Sequence, residues 1–361
     1  MIDQKNKFKI LEKLCYFTIL KKYSGFDNIL PSSDNGLLIH HWDTDGICSA
    51  AILFEDLEKE FDTHVPHIGN YFLTGYEIEN ISKQNYDFII IADMALPEDN
   101  ILDLKEKTDA EIYIFDHHLQ NNIQRDGIHH HNPVSLGEPP ESYPSNTWVL
   151  TRYLDREIDL FSILGAVGDR EKKIKDNVGI YQYIKAFLED SDFYFEDLLR
   201  VVELIDSNYK VGDKQKVMNA VHFIKENKLH PQRILDNSDW KKNLDDLEME
   251  TERQKNMPVD YEDGIAIQEI DTRYNITSPV ARNLAWNGDC RVAIVVNRGF
   301  FDDKDQLYVR AGQSGPVMTS IIDAAQEKGY SAGGKNEVAG IVLPKGDTDY
   351  FIKEVLNLLQ V

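Results

Sequence analysis

The chain has 361 residues, of which 39 are Lys or Arg and 62 are Asp or Glu, so its formal net charge at pH 7 is −23. This acidity argues against a strong non-specific electrostatic hold on nucleic acid, and a polyanionic substrate would need a local basic groove or bound divalent cations. The length predicts two domains. The hydrophobic fraction of 42% argues against disorder, and no apolar run approaches the roughly 18 to 20 uncharged residues that cross a bilayer.

The three cysteines, Cys15, Cys48 and Cys290, lie far apart in the sequence. Their odd number and their spacing argue against a disulfide framework or a thiolate zinc site, and they favour a reducing, cytoplasmic location. Residues Met1–Lys22 mix charged and apolar side chains. This is not the pattern of a signal peptide, and it predicts an amphipathic helix.

The first half of the chain alternates short apolar runs with segments of helical periodicity. The run Gly36–His40 is followed by helical spacing of apolar residues over Ser49–Phe61. The continuous apolar runs Phe88–Ile91 and Ile112–Phe115 have the length of strands that are buried on both faces. Strands that alternate with helices predict an α/β fold with a parallel sheet.

The composition changes twice in the second half. From about residue 176 to residue 256, Gly and Pro are scarce and Leu, Lys and Glu dominate, which predicts a helical connector. From about Gly264 the α/β pattern returns, with a helix at Val317–Lys328 and three strands: Arg291–Val296, Gln306–Arg310 and Val338–Leu343. We therefore predict three segments: a parallel-sheet domain at 1–190, a helical connector at 191–258 and a smaller α/β domain at 259–361.

Four short segments place an acidic residue at the end of an apolar run. Because the carboxyl ends of parallel strands meet at one crevice, we expect these segments to face each other. In an extended chain the two aspartates of the first segment would also project to the same side. A single aspartate at such a position is commonly a turn or a helix cap, so the interpretation depends on the set as a whole: His41-Trp42-Asp43-Thr44-Asp45-Gly46, Asp93, Asp116-His117-His118 and Asp169.

Several carboxylates in one crevice would repel each other and resist ionisation unless cations neutralise them. Carboxylates combined with imidazoles suit Mn²⁺ or a similar divalent ion better than soft metals with thiolate ligands. Two such ions about 4 Å apart could activate a water and stabilise charge on the attacking and leaving oxygens of a phosphoryl group. The set therefore predicts a two-metal phosphoesterase site.

With these motifs the chain resembles the DHH phosphoesterases, which include RecJ-type exonucleases, oligoribonucleases, cyclic-dinucleotide phosphodiesterases and exopolyphosphatases. The segment Gly165-Ala166-Val167-Gly168-Asp169 is especially similar to archaeal RecJ-related proteins. The resemblance implies catalytic roles for Asp116 and His118, with His118 close to the scissile phosphate, and His40 is an alternative to His41. It implies these metal ligands, with Asp93 bridging two ions: His41, Asp43, Asp45, Asp93, His117 and Asp169.

The last third of the chain resembles the DHH-associated (DHHA1-like) domain, which grips substrate. The family signature is Gly-Gly-His followed by Ala-Gly, and this chain has Gly333-Gly334-Lys335 followed by Ala339-Gly340. Paired glycines let backbone N–H groups approach a phosphate, and Lys335 supplies a positive charge without the titratable ring of histidine. Arg310 matches the substrate-binding arginine of the family. A plain turn is the alternative interpretation of the glycine pair.

Three other features have less specific interpretations. The tract His129-His130-His131 is predicted to lie in a loop, where a metal-ligand role is the weaker alternative. The basic run Arg170–Lys175 is either a positive rim for nucleic acid or a solvated helix start. Cys48 is interpreted as a small buried apolar residue.

The function that these features predict is a RecJ-like exonuclease for single-stranded DNA or RNA, with archaeal DNA replication or repair as its setting. The resemblance implies two divalent metal ions, with Mn²⁺ favoured over Mg²⁺ and Co²⁺, and an active site in the cleft between the two domains. Two alternatives stay open. One is a phosphodiesterase for short oligoribonucleotides, cyclic dinucleotides or polyphosphate, and the other is a replisome component that binds the archaeal GINS complex.

Overall fold

The computed structural model describes residues 33–57, 61–287, 290–312, 315–335 and 337–359. In these ranges the chain forms two β-sheets and a block of helices that lies between them in sequence. The helix predicted over Met1–Lys22 and the residue Cys15 lie outside the described ranges. Within these ranges, no helix combines the length and the apolar character that crossing a membrane requires.

The first sheet has five strands in the order β2-β1-β3-β4-β5, and every neighbouring pair is parallel. Its strands are β1 (Gly36–His40), β2 (Asp62–His64), β3 (Phe88–Ala92), β4 (Glu111–Phe115) and β5 (Ile128–His131). The accompanying helices are α1 (Thr44–Asp56), α2 (Gly75–Ser82), α3 (Glu98–Lys107), α4 (Asn146–Tyr153) and α5 (Leu160–Arg170). All residues of β1 and β3 are buried, as predicted for strands covered on both faces.

The strand order fixes where a ligand can bind. Strand β2 lies on one side of β1, whereas β3, β4 and β5 follow on its other side. The connections that leave β1 and β3 therefore diverge, and a crevice opens outside the carboxyl ends of these two strands. The segments after His40 and after Ala92 both enter this crevice.

Two predictions about local structure were wrong in this sheet. The tract His129-His130-His131 was predicted to be a loop, but it belongs to β5 and pairs with β4. His129 is the first histidine of the tract, and its Nε2 lies 2.7 Å from Glu111 Oε2. Glu111 begins β4, at the end of the strand that is away from the crevice. The first helix begins at Thr44, earlier than predicted, because Asp43 accepts a hydrogen bond from Gly46 N–H (3.1 Å) and caps it. Asp43 and Asp45 therefore lie at a helix start and not in an extended chain.

The helical segment forms part of the same core as the first sheet. It consists of α6 (Val178–Glu189), α7 (Phe195–Lys210), α8 (Lys214–Glu226), α9 (Pro231–Leu235) and α10 (Ser238–Lys255). Buried residues of α7 and α8, such as Leu198, Ile205 and Val221, join one apolar cluster with residues of β1, β3 and α1. The basic run after Asp169 ends α5 and forms a short 3₁₀ helix, Glu171–Asp176. The domain limits at residues 190 and 258 stay a prediction.

The second sheet has six strands in the order β10-β11-β9-β8-β7-β6, in which only β7 and β8 are parallel. The strands are β6 (Asp260–Glu262), β7 (Ile265–Ile270), β8 (Val292–Asn297), β9 (Lys304–Ala311), β10 (Ser331–Lys335) and β11 (Val338–Pro344). The helices are α11 (Thr277–Asn287), α12 (Thr319–Glu327) and α13 (Thr348–Leu359). The three strands and the helix predicted here are confirmed to within two residues.

The two faces of the second sheet are covered differently. Val292 and Ile294 of β8 pack in a cluster with residues of α12 and α13, whereas Ala293 and Val295 belong to the larger cluster that includes α11. Side chains alternate between faces along a strand, so α11 lies on the face opposite to α12 and α13. The glycine-rich segment is strand β10, which pairs with β11, so the interpretation as a plain turn was wrong.

Helix α5 packs closely on α1 and α4 because Gly165 has no side chain. A methyl group at this position would overlap Thr147 Oγ1 and Asp45 Oδ1. Gly168, one turn later, faces Thr44. The small residues in this helix therefore bring its last turn next to the start of α1.

Substitution of Gly165 by Ala tests this packing. We expect Gly165→Ala to lower the free energy of unfolding by about 1–3 kcal/mol, because the added methyl group overpacks a rigid, buried contact. The matched control is Gly179→Ala in α6, where the nearest contact of the methyl group would be Asn177 Oδ1 at 3.7 Å. This control variant should have an unchanged free energy of unfolding or be more stable by a few tenths of a kcal/mol. Urea denaturation followed by circular dichroism measures both, and equal stability of the two variants would contradict the packing argument.

Candidate metal centre

The segment after β1 supplies three of the predicted ligands. His41 Nδ1 lies 2.9 Å from Asp43 Oδ1. Asp45 is in the first turn of α1, where its two oxygens accept hydrogen bonds from the N–H groups of Asn146 (2.6 Å) and Thr147 (3.0 Å) at the start of α4. The N-terminus of a helix stabilises a negative charge. Helix α4 therefore fixes the orientation of the Asp45 carboxylate.

Asp93 directly follows β3 and has an unusual backbone conformation. Its φ angle is 62° and that of Ala95 is 45°, a left-handed region that costs non-glycine residues free energy and that is found often at functional sites. Asp93 Oδ1 lies 3.5 Å from His117 Nε2, and Asp93 Oδ2 lies 4.0 Å from His41 Nδ1. The two oxygens of one carboxylate thus face two different histidines.

Asp116, which follows β4, is fully buried and serves as an acceptor for its neighbours. Its Oδ1 accepts hydrogen bonds from the N–H groups of His117 (2.7 Å) and His118 (2.9 Å) and lies 2.7 Å from His118 Nδ1. Its Oδ2 accepts from Ala95 N–H (2.6 Å). Burial opposes ionisation of Asp116, but the charge of His118 outweighs it and holds the pKa below its ordinary value. Asp116 therefore orients the two histidines and the Asp93 turn, and it is better described as a positioning residue than as a catalytic one.

The two histidines after Asp116 have different surroundings. His117 is buried, and its Nδ1 lies 3.3 Å from the carbonyl oxygen of Tyr143, so that Nδ1–H donates and Nε2 is left for a metal. The His118 side chain is 46% exposed. Because its Nδ1 faces Asp116, its Nε2 is the nitrogen available to a substrate.

Asp169 completes the set from a helix. Its Oδ2 lies 3.2 Å from His117 Nε2, which is also 3.8 Å from Asp45 Oδ2. The sequence predicted that Asp169 ends a strand, and this was wrong, because it lies in the last turn of α5. The close packing at Gly165 and Gly168 nevertheless brings Asp169 to the same crevice.

All six predicted metal ligands come together. Their ligand atoms form overlapping groups in which every pair of atoms is within 4.8 Å, and Asp93 and His117 each belong to two groups. His40 is not in these groups: it is fully buried and its Nδ1 lies 2.7 Å from the carbonyl oxygen of His41. The structure therefore favours His41 over His40. The groups are His41, Asp43 and Asp93; Asp45, His117 and Asp169; and Asp93, His117 and His118.

The electrostatics of this centre fit divalent cations. Burial, together with the charge of Asp169, raises the pKa of Asp45 to about 6, and burial with the charge of Asp45 raises the pKa of Asp93 well above its ordinary value. Asp93 Oδ1 and His117 Nε2 are buried and, in the part of the chain that the structure describes, make no hydrogen bond of good geometry, although His117 Nε2 is 3.2 Å from Asp169 Oδ2. Buried polar atoms in this state are costly unless something satisfies them. A divalent cation would satisfy both atoms and neutralise the carboxylates, and the mixed oxygen and imidazole donors suit Mn²⁺ or Mg²⁺.

Two contributors were not predicted from the sequence. Asp206 of α7 accepts hydrogen bonds from Thr44 N–H (3.0 Å) and Thr44 Oγ1 (2.7 Å) at the start of α1. Tyr71 stacks on His41 with ring centroids 6.1 Å apart, and its N–H donates to Ser331 Oγ of β10 (3.3 Å). An aspartate within an apolar helical stripe was the only signal for Asp206, and Tyr71 had none.

The second sheet approaches the centre with the face that carries Arg310. Arg310 of β9 pairs with Val338 of β11, and Val338 pairs on its other side with Lys335 of β10. Gly334 of β10 pairs with Ala339 of β11. Gly333 pairs with Gly340. A further contact besides that of Ser331 is made by Arg282 of α11, whose Nη2 lies 3.2 Å from Glu171 Oε1, two residues after Asp169. Arg310 and the two glycines therefore belong to the sheet that borders the metal centre.

Residues 37–167 match the model of the DHH family, N-terminal domain. This segment is a DHH-family domain. RecJ in complex with Mn²⁺ from Thermus thermophilus has a similar fold, with a TM-score of 0.63 and 15% identity over 90% of this chain and 52% of that chain. This chain thus spans about half the length of that RecJ. An exonuclease RecJ bound to manganese gives a TM-score of 0.61 and 15% identity over 94% of this chain and 91% of that one.

A third similar structure is the pGpG-specific phosphodiesterase PggH from Vibrio cholerae, with a TM-score of 0.51 and 15% identity over 90% of this chain and 98% of that chain. At these identities the likeness shows a shared fold. No curated protein matches the sequence significantly. The comparisons confirm the predicted DHH-type domain and its combination with a second, smaller sheet domain.

Metal binding at the DHH domain should be visible as thermal stabilisation. At a Mn²⁺ concentration about 100 times the dissociation constant, we expect the native state to gain about 2.7 kcal/mol, measured by differential scanning calorimetry. The gain should shrink as the pH falls below about 6, because Asp45 then binds a proton that competes with the metal. His117→Ala should lose the gain, and His129→Ala, a histidine paired with Glu111 away from the centre, should keep it. An equal gain in the wild type and His117→Ala would contradict the assignment.

Asp116→Asn separates orientation from metal binding. The amide keeps the shape but cannot accept hydrogen bonds at both ends, so His118 should lose its fixed orientation. We expect turnover of a phosphodiester to fall by at least about 100-fold, while stabilisation by Mn²⁺ falls much less than in His117→Ala. If Asp116→Asn instead abolished stabilisation by the metal and left turnover intact, a positioning role would be wrong.

Proposed function

We propose that the protein is a metal-dependent phosphodiester hydrolase with two divalent ions, Mn²⁺ being favoured over Mg²⁺ and Co²⁺. The observation that carries the proposal is the Asp93 carboxylate, whose Oδ2 lies 4.0 Å from His41 Nδ1 and whose Oδ1 lies 3.5 Å from His117 Nε2. A carboxylate in this position suits a bridge between two cations. The DHH-family match and the RecJ folds bound to manganese support the reaction class.

In this proposal the ligands divide into two sets that share Asp93. His41 and Asp43 would hold one ion, and Asp45, His117 and Asp169 would hold the other. When bound, the ions supply a nucleophilic water at neutral pH and stabilise charge on the attacking and leaving oxygens. The protein keeps the donors in place through the N-terminus of α4 at Asp45 and the Tyr143 carbonyl at His117.

His118 would act on the reacting phosphate. Asp116 holds Nδ1 of His118 at 2.7 Å, which fixes the ring and directs the opposite nitrogen, Nε2, toward substrate. In that position Nε2–H would donate a hydrogen bond to a phosphate oxygen and supply a proton to the leaving oxygen. The positive charge of a protonated ring would be stabilised by Asp116.

The second domain would hold phosphates that do not react. Arg310 would bind one such phosphate through its planar guanidinium, and the backbone N–H groups of Gly333 and Gly334, with Lys335, would bind another. A net charge of −23 makes such local contacts necessary for a polyanionic substrate. The metal ions would add further positive charge on the opposite side of the cleft.

We propose single-stranded DNA or RNA as the substrate, hydrolysed from an end as a RecJ-like exonuclease would. With Mn²⁺ present, end-labelled 20-mers should yield mononucleotides, and the rate should be lost with a chelator. Asp93→Asn and His117→Ala should lower turnover by at least about 1,000-fold, since each removes a ligand from the site that supplies the nucleophile. The matched control His129→Ala should retain wild-type turnover, and undiminished activity in His117→Ala would end the proposal.

A phosphodiesterase for short substrates is the second candidate. The fold is similar to that of a pGpG-specific phosphodiesterase, of which the chain covers 98%, and the acidity of the chain suits a small ligand better than a long polyanion. The comparison that decides is the specificity constant for linear and cyclic dinucleotides, and for polyphosphate, against that for 20-mers. A preference for the short substrates would replace the exonuclease assignment within the same hydrolase class.

The cellular setting is a separate proposal. A role in archaeal replication or repair, binding to the GINS complex and a cytoplasmic location all derive from the sequence resemblance and from cysteine use. Co-purification of tagged protein from cells, with detection of GINS subunits, tests the partner.

A further inference from the structure

Trp286, on helix α11, is an unusual surface residue of this protein. Its side chain is 58% exposed, whereas the other tryptophans, Trp42, Trp148 and Trp240, are at most 6% exposed. Tryptophan combines a large apolar ring with a polar N–H and is enriched at binding surfaces. An exposed ring alone is common on protein surfaces, so the neighbours of Trp286 decide its interpretation.

Two arginines flank the Trp286 ring. The guanidinium carbon of Arg310 lies 5.1 Å from the centre of the ring, and that of Arg282 lies 5.8 Å from it. Both distances are within the range of cation–π attraction. Among the described residues the Nε atoms of both arginines are buried and have no hydrogen-bond partner, so each guanidinium is held beside the ring without a hydrogen bond at Nε.

We term the group of Trp286, Arg282 and Arg310 the indole platform. It lies on the side of the second domain that contacts the end of α5. Arg282 reaches across to Glu171 at 3.2 Å, and Glu171 is two residues after the metal-ligand candidate Asp169. Two residues of chain span at most about 7 Å. The platform therefore adjoins the end of α5 that contributes to the centre. Arg310 lies on β9, which β11 separates from the glycines of β10 that the proposed function assigns to phosphate binding.

We propose that the indole platform stacks a nucleobase of a single-stranded substrate, while Arg310 and Arg282 face the adjoining phosphates. This inference rests on the proposed function, because it gives the hydrolase its selectivity for nucleic acid over phosphodiesters that have no base. Stacking does not depend on net charge and accepts every base. A chain with a net charge of −23 cannot gain affinity from general electrostatic attraction, so a stacking contact suits it.

The test compares binding of a tetranucleotide with binding of the same backbone without bases. Both are measured in Mn²⁺ by fluorescence polarisation in the hydrolysis-deficient His118→Ala background. We expect the tetranucleotide to bind roughly tenfold more tightly than the abasic chain. Adding Trp286→Ala should reduce this ratio to about one, and Trp286→Phe should keep most of it because a ring remains.

Tyr350→Ala is the matched control. Tyr350 is an exposed ring (65%) with Lys328 Nζ 5.4 Å from its centre, and it lies on α13, on the opposite face of the second sheet. This variant should keep the wild-type ratio. Quenching of tryptophan fluorescence by the tetranucleotide, lost in Trp286→Phe, would give independent support.

The outcomes separate this inference from the hydrolase proposal. An unchanged ratio in Trp286→Ala overturns the platform, even if the wild type hydrolyses oligonucleotides. Base-dependent binding through Trp286 in a protein that hydrolyses no phosphodiester supports the platform and refutes the hydrolase. If neither oligonucleotide binds, the platform and the exonuclease assignment both fail, whereas the hydrolase proposal is then tested by turnover of dinucleotides and polyphosphate.

Discussion

The structure depends on holding mutually repulsive carboxylates in a buried crevice. Asp45 and Asp93 are 2% exposed or less, and burial raises the pKa of both. Asp169 adds a third negative charge within 3.2 Å of His117. A fold tolerates such an arrangement only if something compensates the charges, and in this protein the compensation is built from helix N-termini, imidazoles and the place for divalent cations.

Each support for these carboxylates comes from a different part of the fold. The start of α4 donates two N–H groups to Asp45, and Asp116 ties the His117-His118 segment to the strained turn at Asp93 through Ala95. Although burial opposes its protonation, the charge of Asp169 raises the pKa of His117, so protons occupy positions that a cation would take over. Metal binding at this centre would therefore release protons, which would link the affinity for the metal to pH.

The residues that the sequence identified share a local signal. Asp43, Asp93 and Asp116 each follow an apolar strand, and the parallel-sheet rule then places them at one edge. Asp169 lies at the same crevice although its helix was taken for a strand, because a run of small apolar residues fits either structure. Asp206 and Tyr71 were missed, since each reaches the centre through contacts between distant segments. Strand β5 was missed because a histidine tract has little strand signal.

In the proposed function, the two domains contribute different positive groups to the binding of a polyanion. Cations at the DHH domain would convert the most negative region of the chain into the one that attracts phosphate, whereas the second sheet contributes Arg310 without needing a metal. Tyr71 contacts His41 on one side and β10 on the other, and Arg282 joins α11 to the end of α5. Any change in the distance between the domains must alter both contacts. In the proposed function, the same residues would therefore help to set the spacing between the reacting phosphate and its neighbours.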